Sequence, residues 1–127
     1  MDKNVVNRWK GISKILFKHY KVKPKKLYIT TSDKDNDLHH NKAFYDLYNR
    51  TITLNLDKAE SDEDLLTSIL HEIHHIIDEK KFGHDTYDIM YQQEMTNNGY
   101  KKNKFEINAE NFALGEVKKW KNLIQNN

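Results

Sequence analysis

From Leu65 to Ile77 the apolar residues Leu65, Leu66, Ile69, Leu70, Ile73, Ile76 and Ile77 recur with the three-and-four spacing of an amphipathic helix. At about 100° per residue they occupy one arc of roughly 140°. Such a helix must lay that arc against other elements of the chain. Ser61 opens it, with Asp64 three residues on and acidic side chains through the first turn, where the helix dipole favours negative charge. The pattern runs to about Lys81, and Gly83 ends it.

The flanking segments supply candidates for that cover. Val5, Val6, Trp9, Ile12, Leu16 and Tyr20 predict a first amphipathic helix of about five turns, ended before Pro24. Leu27 to Thr31 is a short β-prone run, and Ser32 to Asn41 is a polar loop. Ala43 to Tyr48 and Thr51 to Leu56 read as two strands of a hairpin turning at Asn49 and Arg50. Asp85 to Asn98 predicts a short, poorly apolar helix before Asn97-Asn98-Gly99, and Lys104 to Ile124 a last helix. The expected fold class is α+β: an N-terminal helix, a short mixed or antiparallel sheet with a hairpin, the central helix and a C-terminal helix.

At 127 residues the chain is expected to form one domain. It has no Cys, so thiolate metal sites, thiol nucleophiles and disulfides are excluded, and any metal must be held by His and carboxylates. The 21 basic and 19 acidic residues are too balanced to mark a nucleic-acid footprint. No apolar run is long enough for a membrane span or signal peptide, so the expected compartment is the cytoplasm. Nineteen Lys against two Arg, with 14 Asn, fit coding bias in an AT-rich genome.

Within the central helix lies His71-Glu72-Ile73-His74-His75, a His-Glu-x-x-His pattern. Residues four apart stand one turn apart on one face, so both imidazoles can reach a single zinc ion while the Glu stands beside a metal-bound water. His71 and His75 fall on the open face, with Glu72 at its border with the apolar arc. His74 falls outside the pattern and reads as a partly exposed neighbour. A catalytic zinc takes three protein ligands, so one more is needed. On the last helix Phe105, Ala109, Phe112, Ala113, Val117, Trp120 and Ile124 define an apolar face; Glu106 lies inside it and Glu110 at its edge. An ionised carboxylate on a core-facing position is costly unless it is paired or coordinates a metal.

The two segments together, HEIHH and Glu106-Ile107-Asn108-Ala109-Glu110-Asn111-Phe112-Ala113, resemble the gluzincin pattern, and the trailing Phe-Ala resembles the ImmA/IrrE family of metallopeptidases. The resemblance spans roughly Ala43 to Ala113. It implies a small zincin-like domain in which His71, His75 and Glu106 bind Zn2+ and Glu72 is the general base, acting on a protein or peptide substrate. It also implies a regulatory protein as target, while composition and size suit a mobile-element or phage setting. Glu110 stands where the family has Asp or Asn, leaving two roles for it: orienting a ligand histidine, or replacing Glu106. The family register and the helical face both favour Glu106 as ligand.

The resemblance further implies that a peptide lies along an edge of the Thr51 to Leu56 strand. Tyr87, Tyr91, Tyr100 and His84 fall in the segment between the two motifs and are the candidates for stabilising an oxyanion. His39 and His40 read as solvated loop residues, and the Lys18 to Lys26 run as a helix end with a polar connection; neither membrane nor nucleic acid is an expected partner. The alternative to a peptidase is a catalytically silent domain of the same kind that binds a protein partner around a structural zinc.

Overall fold

A computed structural model describes residues 3–31 and 42–125. The described residues form an α+β fold in the order α1 (Lys3–Tyr20), β1 (Lys26–Thr30), β2 (Ala43–Asp46), β3 (Thr51–Asn55), α2 (Asp62–Phe82), α3 (His84–Asn98), α4 (Lys104–Glu116) and α5 (Lys121–Gln125). The expected polar loop, with His39 and His40, lies outside the described residues. No helix among the described residues is long and apolar enough to cross a membrane.

The three strands make a mixed sheet in the order β1-β3-β2. β1 runs parallel to β3, pairing Lys26 with Thr51 through Thr30 with Asn55; β2 runs antiparallel to it, pairing Ala43 with Leu54 through Asp46 with Thr51. The hairpin is present, but its connection is four residues, Leu47 to Arg50, rather than two. Asp46 shortens the strand: its Oδ1 accepts from the amides of Tyr48 and Asn49, at 2.9 and 3.2 Å, and so turns the chain two residues early. Arg50 closes the turn in a left-handed conformation, φ 52°.

The sheet order also corrects the substrate edge expected at Thr51 to Leu56. β3 is the central strand, paired on both sides, and the edge strand over α2 is β2. Asn55 N donates to Lys42 O at 2.8 Å, which sets the antiparallel register so that the amides of Ala43 and Tyr45 point away from β3.

α2 lies under this sheet. Leu66, Ile69, Leu70 and Ile73 are fully enclosed and pack with Ile52 and Leu54 of β3 and Leu16 of α1. Each such side chain contributes about 1.5–3 kcal/mol relative to exposure. Ser61 caps the helix by accepting from Asp64 N at 3.1 Å, and Gly83 leaves it at φ 88° with its amide on Glu79 O. α4 packs on the other flank of α2, capped by Asn103 accepting from Phe105 N.

The expected long C-terminal helix is interrupted: α4 ends at Glu116, and Val117 to Trp120 form a tighter 3-10 turn before α5. There Trp120 Nε1 donates to the Tyr20 hydroxyl at 2.8 Å, and the indole meets the His19 ring edge-on, tying the C-terminal end to α1.

Candidate metal centre

The helix pitch places His71 and His75 one turn apart on α2, and their ring centroids are 5.0 Å apart. Their Nε2 atoms converge on one oxygen from another element: Glu106 Oε1 lies 2.8 Å from His71 Nε2 and 3.0 Å from His75 Nε2. Glu106 sits in the first turn of α4 and is 7% exposed, as its place on the apolar face requires.

Glu72 also brings a ligand atom within 4.8 Å of the two histidines. Its carboxylate is differently committed. Oε1 accepts from the outward amide of Tyr45 on β2 at 2.9 Å, and Oε2 stands 3.9 Å from His71 Nε2. Glu106 Oε1 thus lies nearer His71 Nε2 than the Glu72 carboxylate does, and Glu72 stands beside it facing the edge strand. Glu110 keeps to the outside. Its Oε1 lies 3.3 Å from His71 Nδ1, the ring nitrogen turned away from Glu106, and its side chain is 55% exposed.

Each inward group has an outer partner. His75 Nδ1 lies 2.8 Å from the Tyr87 hydroxyl, and Tyr91 donates to Glu106 Oε2. Tyr87 and Tyr91, four apart on α3, thus reach the site from a single helix face. That i,i+4 spacing was the available signal for the pair, although their direction toward α2 and α4 was not in it. His74 turns elsewhere: its ring packs on Phe112 at 4.9 Å and its Nδ1 is 3.3 Å from Asp78 Oδ2.

The site's charges are strongly coupled. Burial opposes protonation of His71, yet its bond to Glu106 and the negative charge of Glu72 and Glu106 lift it to about 9. Burial likewise opposes ionisation of Glu106, but the bonds from His71, His75 and Tyr91 hold its carboxyl far below the usual range. Burial pushes Glu72 upward, moderated by the positive charge of His75 and His71.

The four oxyanion candidates separate in space. Tyr87 and Tyr91 spend their hydroxyls on His75 and Glu106. His84 pairs with Glu79, its Nδ1 2.5 Å from Oε2, in a second cluster with Tyr45, whose hydroxyl donates to Glu79 Oε1 at 2.5 Å, and Arg50. That cluster buttresses β2 from behind. Tyr100 alone of the four lines the cavities on both sides of Glu72. It follows the turn at Gly99, φ 74°, and is half exposed.

Two imidazole nitrogens and a carboxylate oxygen, each with its outer atom held by a further group, form a donor set of the kind that can hold a metal ion. The buried carboxylate with both histidines at hydrogen-bond distance fits a cation at their meeting point. No protein-family model matches the chain, and neither a curated protein nor a solved structure is significantly similar to it.

Proposed function

We propose that this protein is a zinc-dependent peptidase of the gluzincin type, resembling the ImmA/IrrE metallopeptidases. The observation that carries the reading is the meeting of His71 Nε2, His75 Nε2 and Glu106 Oε1 with Glu72 beside them and an edge strand across the cleft.

His71, His75 and Glu106 would hold the ion. Bound zinc supplies a water acidified to about pKa 7 and a Lewis acid for a carbonyl oxygen. Glu72 accepts the proton of the attacking water on its carboxylate and delivers it to the departing amine, ending the cycle ionised as it began. β2 is the strand on which an extended peptide can add, since its outward amides at Ala43 and Tyr45 are not used by the sheet. Substrate then takes the Tyr45 amide from Glu72 and frees that carboxylate to serve as base. Tyr100, with its hydroxyl near Glu106 and its ring at both cavities, is the group placed to donate to the oxygen of the tetrahedral species.

The reading is tested by incubating the zinc-loaded chain with a peptide library and following new termini by mass spectrometry, alongside Glu72→Gln. Cleavage by the wild type and none by a metal-replete Glu72→Gln supports it. Equal processing by both proteins removes Glu72 from the chemistry and overturns it.

A further inference from the structure

The cavity beside the metal ligands has a volume of about 210 Å³. Its walls are aromatic: Phe44 from β2, Tyr48 from the hairpin turn, Tyr87 and Tyr91 from α3, and Tyr100. Tyr48 and Tyr100 are 71% and 52% exposed, large rings held open to solvent. Single exposed rings are ordinary on a surface, but two lining one cavity with Phe44, Tyr45, Tyr87 and Tyr91 form a cage for an aliphatic or cationic group.

Charge decides between the two. Among the described residues no Lys or Arg lines the cavity, whereas Asp46 and Asp88 both do. The Asp46 carboxylate is spent on the turn, accepting from Tyr48 N, Asn49 N and Asn49 Nδ2. Asp88, in α3, has no such use. Its Oδ1 is enclosed and has no hydrogen-bond partner. A shielded carboxylate oxygen without a donor is unfavourable, so the Asp88 carboxylate gains by turning toward a cation held in the cavity. Gln92, one turn further along α3, lines the same wall and offers a carbonyl oxygen.

We propose that this cavity is a specificity pocket for a lysine or arginine side chain, with the tyrosine rings covering its stem and Asp88 binding its cationic head. Because Glu72 and His75 border the same cavity, the basic residue lies next to the bond to be cleaved. The inference rests on the peptidase reading for its substrate, but the pocket's preference can be read without turnover.

The full-length Glu72→Gln protein is titrated with capped pentapeptides Ala-Ala-Xaa-Ala-Ala, Xaa being Lys, Arg, norleucine or Glu, and followed by NMR shifts of the tyrosine rings. The Lys or Arg peptide should bind about tenfold or more tighter than the norleucine peptide, the scale of one hydrogen bond to a charged group. Asp88→Asn should reduce that ratio to about twofold or less while leaving norleucine binding unchanged, and Asp88→Glu should retain the preference. Equal binding of norleucine and Lys by the parent protein overturns the proposal, and needs no second variant. Absence of binding by both basic peptides, or a preference that survives Asp88→Asn, overturns it as well. Wild-type cleavage of the same peptides separates the two readings: cleavage without a basic preference removes the pocket alone, while basic-peptide binding without any cleavage removes the peptidase and leaves the pocket.

Discussion

Tyr91 donates its hydroxyl to Glu106 Oε2, while Oε1 of the same carboxylate faces His71 Nε2 and His75 Nε2 at 2.8 and 3.0 Å. The two oxygens have separate tasks, one turned to the shared point between the histidines and the other fixed to α3. Removing the fixing hydroxyl frees the carboxylate to rotate. Tyr91→Phe should therefore weaken zinc binding about 10- to 100-fold without unfolding the chain, as measured by competition with a chromophoric chelator. Unchanged affinity would show that α4 alone orients Glu106.

Tyr100 differs from the other three candidates in lining the cavities on both sides of Glu72. If it donates to the oxygen that gains charge during attack, Tyr100→Phe should lower kcat about 10²- to 10³-fold and leave KM nearly unchanged. A rise in KM with kcat intact would assign it to substrate binding instead.

The support beneath the site is the apolar face of α2. Leu70 is fully enclosed, one residue before His71. Leu70→Ala should destabilise the fold by about 2–5 kcal/mol, through lost burial and the cavity left behind, in urea denaturation at constant slope. A cost below about 1 kcal/mol would mean that this part of the core collapses to fill the space.

The Tyr20 hydroxyl donates to Glu116 Oε1 at 2.7 Å and accepts from Trp120 Nε1 at 2.8 Å. Burial, then the bond to Glu116, raise the Tyr20 phenol to about 12 from 10.0. Glu116 is lowered by its bonds with Lys119 and Tyr20. The phenol favours folding fully below pH 10.0 and loses that contribution as pH rises through about 12. The carboxylate contributes above its unfolded value of 4.5 and loses its share as pH falls through its depressed folded value. Tyr20→Phe should thus cost about 1.5 kcal/mol near pH 7, at the low end for a hydrogen bond to a charged group, and the difference from wild type should shrink at both extremes of pH. A difference independent of pH would mean that only packing was lost.

Local chemistry made much of this structure legible. The three-and-four spacing from Leu65 to Ile77, the Ser61 cap and Gly83 fix α2, and its geometry then forces His71 and His75 onto one face. Glu106 was visible as a carboxylate on an apolar face, and it lies between the two histidines. What local pattern does not carry is strand order. β1, β2 and β3 are each readable as strands, but nothing within Thr51 to Asn55 says that β1 returns to pair with it and leaves β2 at the edge. The turn length likewise depended on the Asp46 carboxylate capturing two amides, a contact that competes with one more strand pair. Sequence placed Tyr87, Tyr91, Tyr100 and His84 in one segment, and only the packing of α3 against α2 sorts them into separate tasks.

In the proposed centre His71, His75 and Glu106 act as one set of metal ligands, and metal content tests this most directly. Protein purified without added metal is measured by mass spectrometry for the wild type, Glu106→Ala and Glu110→Ala. About one zinc per chain is expected in the wild type, since three protein ligands make one site. Glu106→Ala should lose it, while Glu110→Ala, whose side chain is half exposed and meets only the outer nitrogen of His71, should keep most of it. A wild type that takes up no zinc even when supplied, or a Glu106→Ala protein that holds it as well as the parent, would contradict the account.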